Sequence, residues 1–182
     1  MPAYAYAILA AGWVIWLTPF FLTQRNIQPA RKLDRRARWG ILLNAIAYAI
    51  LWQGKFWERS PSIWRVTLSI LLLLLACLLS WTATRSLGRH WRMDAGLSAD
   101  HALVESGPYR VVRHPIYASM LSMLLGTGLM VASVPLLALS VLVFIAGTEI
   151  RVRIEDRLLA SRFGDRFRNY QRSVPAYIPF LR

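Results

Sequence analysis

From Ile116 to Thr148 the chain carries no charged side chain, and a domain of this length folded in water has no interior large enough to hide such a run. One helix through it would be about 50 Å long at 1.5 Å per residue, well beyond the ~30 Å of hydrocarbon in a bilayer. Ser133-Val134-Pro135 interrupts the run, and proline both disrupts a helix interior and restricts the residue before it. The block therefore reads as two membrane-crossing helices joined by a tight turn. Three apolar runs precede it: Ala3 to Thr23, Trp39 to Gln53, and Ile63 to Thr84 with its consecutive leucines Leu71 to Leu75. The second is short, so its helix is expected to extend into flanking residues. A composition of 56% hydrophobic and 17% charged residues leaves too little polar surface for a water-soluble domain. The expectation is an all-α, polytopic integral membrane bundle of about five transmembrane helices.

The charges orient that bundle. A formal net charge of +13 can signal nucleic acid, but here the basic residues fall between apolar runs, as membrane topology requires. The first loop holds Arg25, Arg31, Lys32, Arg35, Arg36 and Arg38, and the third loop and C-terminal tail are also basic. The second loop has only Lys55 and Arg59, and the N-terminus and the Ser133 turn have none. Alternate loops are thus basic, which predicts an outside N-terminus and a cytoplasmic C-terminus. Trp39, Trp52, Trp57, Trp64 and Trp81 fall near span ends, where amphipathic rings anchor. Gly126, Gly128 and Gly147 would let helix backbones approach closely. Without a basic segment before it, the first apolar run is expected to stay attached as a span rather than be cleaved. Cys77 lies inside an apolar run and reads as packing. Gly-rich phosphate loops, CxxC pairs and HExxH helices are absent from the sequence. No nucleic-acid partner and no metal are expected.

Polar chemistry is concentrated in the third loop and the C-terminal tail. In the segment from His101 to Tyr117, Gly107-Pro108 marks a turn and Pro115 suits the first position of a helix, where its missing N–H is not needed. His114 then stands at the helix start, beside free N–H groups and a positive dipole end that favour an anion. Tyr109 and Tyr117 offer aromatic faces with polar tips. The segment can seat a zwitterionic, nucleoside-bearing ligand. Equally, it can be a cap and turn whose Arg110 and Arg113 bind lipid phosphates. In the second cluster, Glu149 to Arg157, Arg151 and Glu155 share a helix face at i, i+4. That pair reads either as an ordinary surface pair or as an acid and a base kept for function at a membrane surface.

The pattern HxLVxxGPYRxVRHPxY, an apolar hairpin, and then RxxxE(D)xxLxxxFGxxFxxYxxxVPxxIP resembles the isoprenylcysteine carboxyl methyltransferase family and its prokaryotic relatives. The likeness covers roughly Leu87 to Pro179. It implies a membrane-embedded S-adenosylmethionine site formed by the third loop and the C-terminal segment. Carried over residue by residue, the cofactor is expected at His101, Ala102, Leu103 and Val104, at Tyr109, and at His114, Pro115, Ile116, Tyr117 and Glu155. Arg151 stands at the substrate end, and Arg151, Glu155 and His114 form the catalytic set. Asp156 replaces the second Glu of many relatives and Phe167 a Tyr, both mild departures.

The resemblance further divides the chain into residues 1–85, with three transmembrane helices, and residues 86–182, a methyltransferase core. It implies methyl transfer to a lipophilic, prenylcysteine-like acceptor at the cytoplasmic face of what the short chain suggests is a prokaryotic inner membrane. Membrane lipids are the remaining partners. Open alternatives are a phospholipid amine, a small thiol or an isoprenoid as acceptor, or a non-enzymatic bundle that binds lipid or a partner protein. The tail from Phe163 to Pro179 reads either as an amphipathic lid or as a basic segment on anionic headgroups.

Overall fold

The computed structural model describes residues 1–23, 32–91, 96–97 and 102–179. Among the described residues six α-helices follow one another: α1 (Ala3–Thr23), α2 (Ala37–Leu51), α3 (Ile63–Leu87), α4 (Pro115–Val131), α5 (Val134–Phe163) and α6 (Asp165–Ser173). Between them, β1 (Lys32–Leu33) and β2 (Gly96–Leu97) form a two-residue antiparallel pair that ties the first loop to the third. Helices α1, α3 and α5 are long and apolar enough to cross a membrane, and α2 and α4 are apolar but shorter. At 15 and 17 residues the shorter pair spans only about 22–26 Å. The chain is an integral membrane protein, and its lipid-facing side chains include Val14, Phe21, Leu74 and Leu142, all exposed. Trp39, Trp52, Trp57, Trp64 and Trp81 are exposed too, in keeping with an anchoring role.

Helix α5 runs 30 residues, about 45 Å, and so carries its last turns past the apolar stretch that ends at Thr148. That extension lifts Arg151, Glu155 and Asp156 onto a rigid helix instead of a tail. The chain turns at Gly164, whose φ of +55° falls where a Cβ is strained, and α6 folds back beneath.

Packing follows the small residues. Helix α3 lies against α1 and α4, while α2 lies along α5. At the α2–α5 crossing a Cβ on Gly40 would sit 2.5 Å from the Gly147 carbonyl oxygen, and one on Gly147 would sit 2.8 Å from that of Gly40. Only glycine fits on either side. Ser69 donates to the Gly126 carbonyl at 2.7 Å, Ser140 to Ala47 at 2.7 Å, and the Tyr48 hydroxyl to Met120 at 2.7 Å. In α1, Pro19 lacks an N–H, so the Ile15 carbonyl loses its helical donor. The Trp81 indole of α3 supplies one at 3.1 Å, as hydrocarbon surroundings demand.

Candidate active site

The loop before α4 is set by Gly107, at φ +61°; a Cβ there would lie 2.6 Å from Ser86 Oγ. The turn buries Tyr109 and Val112 and leads into His114, the N-cap of α4, with Pro115 in the first turn. The end of the chain then straps over this corner. Arg113 N–H donates to the Pro175 carbonyl and His114 N–H to that of Ala176, each at 2.8 Å. The Arg113 guanidinium bonds to the carbonyls of Val174 and Gln171, and the Tyr170 hydroxyl donates to Tyr109 O at 2.5 Å. Tyr177 adds a bond to Glu149 at 3.0 Å.

Against this corner α5 presents two adjacent carboxylates. Glu155 Oε1 accepts from the Tyr117 hydroxyl at 2.5 Å and from Arg151 Nη2 at 3.0 Å. Arg151 Nε donates to the same Tyr117 hydroxyl, with the guanidinium 5.6 Å from the ring centroid, within cation–π range. His114 bridges the pair, with Nε2 2.9 Å from Asp156 Oδ1 and Nδ1 3.4 Å from Glu155 Oε2. Asp156 Oδ2 accepts from Arg113 Nη2 at 3.1 Å and Gln171 Nε2 at 3.0 Å. Arg151 is only 6% exposed and His114 7%.

Burial alone would push the His114 pKa down. The bonds to Asp156 and Glu155 and their charges outweigh it and lift the value to about 9. His114 is therefore an imidazolium at neutral pH, donating from both nitrogens. Three cations, Arg113, His114 and Arg151, then surround two anions, and the cluster keeps a positive excess. Because its two nitrogens point at different carboxylates, the histidine and the two acids do not converge on one point. Among the described residues no His, Cys, Asp and Glu set gathers as for a metal.

A cavity of about 460 Å³ opens beside the cluster. Its charged end is lined by Arg113, His114, Tyr117, Arg151 and Glu155, and Tyr109 and Ile116 reach it as well. Its other end is built by α1 and α2 through Trp16, Leu17, Phe20, Phe21, Ile41, Asn44 and Tyr48. Edge-to-face ring contacts run through this wall, from Tyr48 to Trp13 at 5.3 Å, Trp13 to Trp16 at 5.5 Å and Trp16 to Phe20 at 5.1 Å.

Of the residues singled out from sequence, the structure thus brings together His114, Tyr117, Arg151 and Glu155, with Tyr109 and Ile116 nearby. Pro115 is buried beneath them. Ala102, Leu103 and Val104 lie on the chain leading to the turn and are not among the residues that line the cavity. His101 lies outside the described residues. Sequence reasoning noted Asp156 only as a mild departure from a family glutamate and gave it no role; it proves to be the hub joining His114, Arg113 and Gln171. Sequence reasoning also named none of the residues that α1 and α2 contribute to the cavity. The one available signal for Asp156 was an acid adjacent to Glu155 that α5 would turn by about 100° toward the tail.

A family model described as phospholipid methyltransferase matches residues 64–166, more than half of the chain and both clusters. The chain belongs to this family. The cobalt-zinc-cadmium resistance protein CzcN of Cupriavidus metallidurans is 34% identical over 144 residues, covering 79% of this chain and 62% of that protein. The protein-S-isoprenylcysteine O-methyltransferase of Schizosaccharomyces pombe is 35% identical over 82 residues, 45% of this chain and 35% of that one. The chain thus spans 62% of the first of these relatives and 35% of the second. The structure of a eukaryotic intramembrane Ras methyltransferase, isoprenylcysteine carboxyl methyltransferase, superposes with a TM-score of 0.68 at 21% identity, over 98% of this chain and 74% of that one. The polytopic helical fold is therefore shared.

Proposed function

We propose that this family member moves a methyl group from S-adenosylmethionine to a lipophilic acceptor at the charged end of the cavity. The observation that carries the reading is the continuity of one cavity from Arg151, Glu155 and Tyr117 to a wall that includes the lipid-exposed Leu17, Phe21 and Ile41. A polar donor and an apolar acceptor need such a two-ended space. The residues present suit the donor: Glu155 is a carboxylate for an ammonium group, and the Tyr109 and Tyr117 rings suit a cationic sulfur. When bound, it supplies an activated methyl on a sulfonium. The chain supplies position and charge, which govern an in-line displacement.

Arg151 can hold an acceptor carboxylate through two N–H groups. Such an acceptor is already anionic near neutral pH, so no strong base is needed. A guanidinium at the acceptor end favours an anionic acceptor over a phospholipid amine, which arrives as an ammonium and offers Arg151 no negative charge to hold. Arg151, Glu155 and His114 are the proposed working set; the alternation of basic loops supports a cytoplasmic site, and the likeness to a bacterial relative supports a prokaryotic inner membrane.

The test is a calorimetric titration of the detergent-solubilised protein with S-adenosylmethionine. It is followed by methyl transfer from the labelled cofactor to a prenylcysteine analogue, a short thiol and a phosphatidylethanolamine. Binding of the cofactor with transfer to the prenylcysteine analogue supports the reading. Failure to bind S-adenosylmethionine, or transfer to the thiol or the amine alone, overturns it.

A further inference from the structure

Asn44 stands apart from the other polar side chains along the cavity. It is 3% exposed, lies on α2 between Ile41 and Ala45 in the cavity wall, and has neither its Nδ2 nor its Oδ1 in a hydrogen bond. Its neighbours are committed: the Tyr48 hydroxyl to Met120 O, the Trp16 indole to Ser119 Oγ at 3.2 Å, and Tyr117 to Glu155. Thr127 and Thr148 also bury hydroxyls without partners, but neither lines the cavity; Arg113 lines it with an unpaired Nε, but that guanidinium is held through its other two nitrogens. A buried amide left unpaired costs about 1–3 kcal/mol. In an apolar span such a group is retained for function by default.

Its position relative to Arg151 is set by the α2–α5 crossing. A Cβ on Gly40 would meet Arg151 Cγ at 2.5 Å, and one on Gly147 would meet Asn44 Oδ1 at 2.5 Å. Gly40 and Asn44 are one turn apart on α2, and Gly147 and Arg151 one turn apart on α5. Asn44 therefore lies one turn, about 5 Å, further than Arg151 toward the apolar interior. The broad terminal torsion of asparagine lets either amide atom turn to the cavity.

We infer that Asn44 is a specificity-determining residue that hydrogen-bonds a second, uncharged polar group of the acceptor. The acceptor class is then an amphiphile with three parts in order. An anionic methyl-accepting group meets Arg151, an amide or similar group about 5 Å along meets Asn44, and an apolar tail lies on the Trp16 and Tyr48 rings. This rests on the reading of the cavity as a methyl-transfer site.

A matched pair of probes tests it on the full chain in lipid nanodiscs, by equilibrium binding. N-dodecanoyl-β-alanine carries a carboxylate, an amide and a tail, and hexadecanoic acid has the same chain length without the amide. The wild-type protein is expected to hold the amide five- to tenfold more tightly, roughly the worth of one uncharged hydrogen bond. Asn44→Leu should bring the two affinities together while leaving S-adenosylmethionine affinity unchanged. Asn44→Ala is read the same way if the leucine variant does not give a monodisperse protein. A wild-type ratio near one, a ratio that survives in the variants, no binding of either probe, or loss of cofactor affinity in the variants would each overturn the assignment. A wild-type protein that fails to bind S-adenosylmethionine but shows the amide ratio, lost in Asn44→Leu, would sink the methyl-transfer reading and leave the amide contact standing.

Discussion

At the charged end of the cavity Glu155 takes hydrogen bonds from Tyr117 and Arg151 and faces His114, while Asp156 takes them from His114, Arg113 and Gln171. At the apolar end the wall is rings and aliphatic chains, and its one amide, Asn44, has no partner. The first region is a network in which each charge is held by others, so its geometry exists before any ligand arrives. The second is held by helix crossings and supplies shape and burial. In the proposed methyl transfer, preorganised charge suits the reacting atoms, since positioning governs an in-line displacement. An apolar space with few directional contacts suits an acceptor tail. One cavity therefore divides its labour between electrostatics and packing.

The sharpest way to break that division is at Arg151. Arg151→Ala should lower turnover at least about 100-fold, the scale of a lost positioning group, with S-adenosylmethionine affinity within about threefold of wild type. Arg151→Lys should recover little, because a point charge cannot replace a planar fork. Normal turnover in Arg151→Ala would remove its assigned role. Next in size, Glu155→Gln should weaken cofactor binding about tenfold or more, as expected for a lost charge-assisted bond. A titration at native affinity would move the cofactor's ammonium elsewhere.

The network at the charged end should also carry a pH signature that the apolar end lacks. The folded pKa of His114, about 9, is above the ordinary value near 6.5. Its contribution to stability is then fully present below about pH 6.5 and is lost as pH rises through about 9. Thermal melting of the wild type should fall over that window, and His114→Asn should flatten the fall. An identical slope in both would place the titration in another group.

The smallest effect belongs to the bundle. Trp81→Phe removes the indole that serves the Ile15 carbonyl opposite Pro19. It should cost about 0.6 kcal/mol, the average for a hydrogen bond between membrane helices, read as a small drop in melting temperature. It should leave turnover unchanged. A loss of activity would couple the α1–α3 contact to the site.

Much of this was legible in the residues, and the reasons differ. Apolar runs long enough for a bilayer have one solution, so Ala3–Thr23 coincides with its helix and Pro135 marks the hairpin as expected. Helix ends were less legible. The second helix, expected to extend beyond Trp39 to Gln53 at its flanks, does so only at its start, running from Ala37 to Leu51, and α5 continues to Phe163. Past Thr148 the helix is carried by partners on other elements, and periodicity does not display those. Arg151 and Glu155 were visible as a pair because i, i+4 spacing is local. Asp156 was not, since its three partners come from the α4 entry and from α6. Gly147 was recognisable as a site of close approach, but its partner Gly40 was not.

By itself the sequence determined that this chain crosses a membrane as helices, where the chain turns between the last two, and which residues can form an acid–base pair on one face. Those properties depend on spacing along a single helix. Only the tertiary structure decided that His114 is clamped between two carboxylates, that the C-terminal segment straps the α4 entry, and that Asn44 faces the same cavity as Arg151. Each of these needs two or three helices distant in sequence to meet at hydrogen-bond range, and that meeting is set by the close glycine crossing of α2 and α5 and the turn at Gly164.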